Sequence, residues 1–113
     1  MNERIMYIEY KGHGQTGPAR IGKVKFSQSN KTIYYKGKTF QLINGTGFQA
    51  NYYDIDTGEQ YRISGCNQKG NDTPNPCIIK IDEDVQEEYW LKIRKIPGNI
   101  NLSQFRTNGN YAK

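Results

Sequence analysis

The sequence predicts a mainly β protein: a small curved antiparallel sheet or partly open β-barrel of about six short strands, with one C-terminal helix packed on it. Three observations carry that expectation. Two stretches read as tight hairpins, turn-forming Gly recurs among β-prone Tyr and Ile, and a stripe of helical period occurs only near the C-terminal end. A chain of 113 residues holds one domain, because domains usually run to about 100–150 residues. Hydrophobic residues make up only 35% and the mean hydropathy is −0.90, so the core is thin. Nine Tyr compensate, since each can bury a ring while its hydroxyl stays hydrogen-bonded.

Residues 6–10 are β-prone and read as the first strand, followed by the Gly-rich segment 12–18. Residues 20–26 form the second strand. Val24 and Phe26 alternate cleanly, but Ile21 falls out of phase across Gly22, which predicts a bulge or sharp twist at that glycine. Residues 32–35 and 38–42 flank Lys36-Gly37, a two-residue turn in which Gly supplies a positive φ. Pairing Tyr35 with Lys38 sets Ile33 opposite Phe40 and Lys31 opposite Leu42. Ile33, Tyr35, Phe40 and Leu42 then share one face, with Tyr34, Thr39 and Gln41 on the other. A second hairpin runs over residues 48–55 and 60–63, through Asp56-Thr57-Gly58-Glu59. Residues 64–76 are nearly all turn formers and read as a long loop, and residues 77–81 as a last short strand.

The pattern then changes. Asp84 and Glu87 resemble a capped helix start, and Val85, Tyr89, Ile93 and Ile96 fall on one helical stripe. Acids crowd the first turn and Lys92, Arg94 and Lys95 the last, as the helix dipole favours. The helix is predicted over residues 84–96, ended by Pro97-Gly98. Residues 1–96 thus form one β-rich domain, and 97–113 a polar, flexible tail.

Charge narrows the function classes. The net charge is +5. Residues 1–50 carry eight basic and two acidic side chains, a net +6, and residues 51–113 carry eight basic and nine acidic, a net −1. An electropositive N-terminal half suits a nucleic acid or an acidic protein face, although a modest positive charge also serves solubility. No apolar run approaches the roughly 20 residues of a membrane helix. The N-terminus lacks the apolar core of a signal peptide, so a cytoplasmic location is expected.

Most motifs that could carry chemistry have a plainer explanation. Gly12-His13-Gly14-Gln15-Thr16-Gly17 matches G-x-G-x-x-G, but a strand pattern follows it where a phosphate-binding site needs a helix. It reads as a flexible loop. His13 is the sole histidine and has no evident nucleophile or orienting acid beside it. Cys66 and Cys77 bracket the long loop. With His13 they make at most three zinc ligands in the wrong spacing, and a reducing compartment favours two free thiols. Asp54, Asp56 and Glu59 fail the calcium-loop pattern and suit a turn instead. No metal, no cofactor and no catalytic residue is expected. An enzyme would require His13, Arg20 and Asp54 to converge in one cleft.

The remaining constellation is the interleaving of Lys23, Lys25, Lys31, Lys36 and Lys38 with Phe26, Tyr34, Tyr35 and Phe40. On the hairpin register Tyr34 points away from the core, beside lysines. Small β-barrels stack bases on such rings while cations hold the phosphates, and edge lysines otherwise discourage aggregation. The candidate contact residues for an anionic partner are Arg20, Lys23, Lys25, Tyr34, Lys36 and Lys38. The alternative is a protein–protein module, such as an immunity or antitoxin protein, using the acids Asp82, Glu83, Asp84, Glu87 and Glu88.

The runs 6–12, 17–27 and 32–40, with Asn51-Tyr52-Tyr53-Asp54-Ile55-Asp56-Thr57-Gly58-Glu59, Ile63-Ser64-Gly65 and residues 81–90, resemble a family of short bacterial proteins over roughly residues 4–95. Some of its members bear the name 1-deoxyxylulose-5-phosphate synthase. That thiamine-dependent enzyme is several times longer, and this chain lacks room for its domains. The resemblance therefore implies a small bacterial protein and carries over no functional residues. Its members have a Lys/Gly/Asp-rich loop where this chain has residues 66–77, which speaks against a functional role for the two cysteines.

Overall fold

Six consecutive strands close into an antiparallel ring in the computed structural model, which describes residues 2–11, 18–43, 50–73 and 76–109. They are β1 (Asn2–Tyr10), β2 (Ala19–Phe26), β3 (Thr32–Tyr35), β4 (Lys38–Leu42), β5 (Tyr52–Asp54) and β6 (Gln60–Gly65). Each pairs with the next, and β6 returns to β1 from Met6↔Gly65 to Tyr10↔Tyr61. Closure leaves the six ring strands with few unpaired edges. Met6, Ile8, Val24, Phe26, Ile33, Tyr35, Phe40, Tyr52 and Ile63 fill the interior. The expected fold class is the one observed, with the ring closed.

The hairpin register predicted for residues 32–42 is present: Tyr35 faces Lys38, Ile33 faces Phe40, and the Leu42 N–H donates to the Lys31 carbonyl. Lys36 and Gly37 both take positive φ, +48° and +79°, the backbone that matches a two-residue turn to the right-handed strand twist. The second hairpin is shorter than expected. It pairs only Tyr52↔Tyr61 and Tyr53↔Gln60, and residues 48 and 49 lie outside the described residues.

Strand β7 (Cys77–Ile81) runs parallel to β2 (Ala19↔Ile79, Ile21↔Ile81), and β8 (Gln104–Thr107) runs antiparallel to β7. A second core forms on the outside of the ring, where Tyr7, Ala19, Ile21, Ile79, Ile81, Val85, Tyr89 and Trp90 pack together. This second core overturns the bulge expected at Gly22. The β1–β2 ladder is unbroken from Asn2↔Phe26 to Glu9↔Ala19. Ile21 is out of phase because the first half of β2 is covered on both faces: Val24 and Phe26 point into the ring, and Ile21 into the outer core. The same double cover buries Met6, Tyr7, Ile8 and Glu9 in succession.

The C-terminal region also departs from expectation. Helical turns run from Glu83 to Ile93 as a 3₁₀ turn (Glu83–Val85), an α turn (Gln86–Glu88) and a π turn (Tyr89–Ile93). The Asp82 side chain makes no cap hydrogen bond at the N-terminal end. The Arg94 N–H donates to the Tyr89 carbonyl, five residues back. The helix stops short of 96 because Lys95 adopts φ +58°, which leaves Ile96 exposed. Tyr89 and Trp90, adjacent in sequence, are both buried, each worth about 2 kcal/mol of transferred apolar surface. Residues 97–109 of the segment expected to be a flexible tail fold back over them instead. Trp90 Nε1–H donates to the Leu102 carbonyl and Gln86 Nε2–H to the Ile100 carbonyl, both at 2.9 Å. Phe105 of β8 stacks on Tyr89 at 5.8 Å. The polar composition of 97–109 conceals this role, because one aromatic and a few backbone carbonyls make the contacts.

Candidate binding cleft at the sheet fork

The open side of β2 is shared by two strands. β7 pairs with residues 19–21 and β3 with residues 25 and 26, so the sheet forks between them. A cleft of about 490 Å³ opens at that fork, lined among others by Lys23, Lys25, Tyr34, Tyr35, Lys36, Lys38 and Asp82. The outward face of the strands positions it. Glu3↔Lys25, Lys25↔Tyr34 and Tyr34↔Thr39 are direct cross-strand neighbours, making one row across four strands. Alternation places Tyr34 on that row because Ile33 and Tyr35 are drawn into the core. Tyr34 is 39% exposed, unusual for so large a ring on a short central strand.

Asp82 forms the floor. Its carboxylate is 1% exposed and accepts from the Tyr35 hydroxyl at 2.5 Å and Arg20 Nε at 2.8 Å. Arg20 Nη2 lies at 2.7 Å and Lys36 Nζ at 3.5 Å. A buried carboxylate is tolerable only with such a set of donors. Burial, then the Asp82 hydrogen bond, pushes the Tyr35 hydroxyl well above its ordinary pKa. The same carboxylate raises the pKa of Arg20. Gly22 is required here for space: a Cβ would lie 2.5 Å from Asp82 Oδ2 and 2.6 Å from Tyr35 Cε1.

Five of the six sequence-predicted contact residues, Lys23, Lys25, Tyr34, Lys36 and Lys38, line this one cleft. Arg20 is not among the described lining residues but binds Asp82, which is one of them. The cations are largely partnered. Lys25 is 3.8 Å from Glu3, Lys36 is paired to Asp82, and Lys38 is 3.4 Å from Asp54. Lys23 has no ion pair among the described residues. Glu3, Asp82 and Asp84 also line the cleft, so its positive potential is weaker than the lysine count implies. Sequence reasoning missed Asp82 as the anchor, because the strand that delivers it joins β2 from 60 residues away. The one local signal is the placement of Asp82 directly after the apolar strand end Ile79-Lys80-Ile81.

The enzyme constellation does not assemble among the described residues. Arg20 is bound to Asp82, whereas Asp54 serves its own turn. The Asp56 N–H donates to Asp54 Oδ1 at 2.9 Å. That bond first, and Lys38 after it, hold the Asp54 carboxyl below its ordinary pKa. His13 and the Gly12–Gly17 motif lie outside the described residues. Cys66 and Cys77 are both free thiols, and burial raises the pKa of each. No group of three or more His, Cys, Asp or Glu suited to a metal ion occurs among the described residues, and no described helix is long and apolar enough to cross a membrane. No family model, curated protein or solved structure matches the chain.

Proposed function

We propose that the protein is a non-enzymatic binding module of the cytoplasm that holds a single-stranded nucleic acid in the cleft at the sheet fork. The observation that carries this reading is the outward Tyr34 ring, set in cross-strand register between Lys25 and Thr39, with Lys23, Lys36 and Lys38 around it. A base stacks on the ring, and the lysine ammonium groups meet the flanking phosphates. The convex outer face of a small closed barrel suits a splayed single strand better than a duplex groove. Glu3, Asp82 and Asp84 hold the affinity to a moderate level and position the lysines.

Fluorescence-anisotropy titration with short labelled single-stranded DNA and RNA over a range of salt tests the reading. Counterion release predicts a log–log salt slope of about −2 to −3, for three or four phosphates at roughly −0.7 each. No binding at low salt would sink it. A protein partner is the second reading, supported by the exposed acids Glu83, Asp84, Glu87 and Glu88 on the first helical turns. It predicts one stoichiometric partner with weaker salt dependence.

A further inference from the structure

A second cleft, of about 370 Å³, lies where the loop after β6 meets the end of the π turn and β8. Its lining includes Lys69, Asn71, Arg94, Phe105, Arg106 and Asn108, with no acidic side chain among the described residues. Lys69 and Arg106 are exposed and make no ion pair among the described residues. Arg94 is held in a fixed plane. Its guanidinium carbon sits 4.8 Å from the Phe105 ring centre and 5.0 Å from that of Trp90. Nε donates to the Gln68 carbonyl at 2.9 Å and Nη1 to the Tyr89 hydroxyl at 3.3 Å. A guanidinium stacked by its flat face keeps its remaining in-plane N–H groups at the edge, and Nη2 has no hydrogen-bond acceptor among the described residues. Gly70 makes room for it. That residue has φ +73°, and a Cβ there would collide with the Arg94 guanidinium. The loop thus closes over Arg94 with bare backbone.

Three cations, one of them rigidly oriented, converge with no acidic side chain among the described lining residues. Phe105 is the one aromatic side chain among the described lining residues; it carries Arg94 over its ring and stacks with Tyr89, so it is not a free ring for a base. The charges of Asp72 in the loop and Arg94 influence each other, but the two form no ion pair, and Asp72 Oδ1 accepts from the Asn67 N–H. We propose that this cleft binds a discrete phosphate-type oxyanion, free phosphate or a phosphomonoester, with Arg94 as the fixed donor and Lys69 and Arg106 as the mobile cations. The proposal is independent of the nucleic-acid reading of the fork cleft.

The test is an amide NMR titration of the whole protein with inorganic phosphate, against sodium chloride at matched ionic strength. A 5′-hydroxyl oligonucleotide serves as a separate arm. Saturable shifts of the Gly70, Arg106 and Gly109 amides with phosphate but not chloride are expected. Lys69→Ala and Arg106→Ala should each weaken phosphate binding about three- to fivefold, as loss of one exposed charge contact does, while both variants keep the dispersed spectrum of the folded protein. Shifts no larger than those in chloride would overturn the proposal, as would unchanged affinity in the Lys69→Ala/Arg106→Ala double variant. Saturation of these same amides by the oligonucleotide, with none by phosphate, would also overturn it and assign the cleft to the polymer.

Discussion

The two clefts use cations in opposite ways. At the fork, the lysines surround an exposed aromatic ring and are mostly paired with Glu3, Asp54 and Asp82. Between the loop after β6 and β8, Arg94 lies over the one described lining aromatic, Phe105, and the cations face no acidic side chain among the described lining residues. Counting basic residues along the chain places the positive potential in the N-terminal half. The fold pairs five of the eight cations of that half with carboxylates and leaves Lys69, Arg94 and Arg106, from a segment of net charge near zero, without an ion pair among the described residues. Charge counted along a sequence therefore locates cations, whereas their availability depends on where the fold puts the acids.

The largest effect expected from breaking this arrangement follows removal of the anchor at the fork. Asp82→Ala leaves the buried Tyr35 hydroxyl without its acceptor and frees Arg20 and Lys36. It should destabilise the fold by about 3 kcal/mol in chemical denaturation. In the protein that remains folded, the salt slope for oligonucleotide binding should steepen by roughly one phosphate. A stability loss with a shallower slope would mean that Asp82 positions the lysines more than it neutralises them. Gly22→Ala drives a methyl group against the same carboxylate and the Tyr35 ring, and should cost about 2 kcal/mol. An unchanged denaturation midpoint would show that the fork can open.

A smaller effect, confined to binding, is expected at the surface ring. Tyr34→Ala should reduce oligonucleotide affinity about tenfold, the scale of one lost base stack, and shift stability by less than about 0.5 kcal/mol. At the second cleft the informative charge is Asp72. Burial raises its carboxyl pKa to about 6 from the usual 3.8, with the Asn67 N–H and Arg94 opposing that rise. A raised folded-state value favours the protonated form, so Asp72 destabilises the fold at pH 7, and that penalty fades as pH falls from about 6 towards 4. Asp72→Asn keeps an acceptor for the Asn67 N–H and should stabilise the protein by about 1–2 kcal/mol at pH 7, with little gain at pH 4. Equal gains at both values would assign the effect to packing rather than charge.

Local alternation made the fork cleft partly legible in the sequence. The Lys36-Gly37 turn fixes the register of β3 and β4, and the register sends Tyr34 outward beside Thr39, where the β2–β3 pairing adds Lys25. What the alternation does not contain is the long-range pairing of β7 with β2. That pairing supplies Asp82, buries the far face of Ile21, and turns an apparent bulge at Gly22 into a steric requirement. The second cleft was not legible at all. It depends on a π turn that buries Tyr89 and Trp90 together, on a polar segment whose Phe105 returns to stack on them, and on a Gly70 that tolerates an arginine against its backbone. None of these leaves a periodic signature.

The separation of the two clefts is tested most directly by measuring one labelled single strand against two variants, Tyr34→Ala and Arg106→Ala, under identical salt. Affinity that falls about tenfold for Tyr34→Ala and stays within about twofold for Arg106→Ala is the predicted result. Equal losses in both variants, or a loss only in Arg106→Ala, would contradict the assignment of the nucleic acid to the fork.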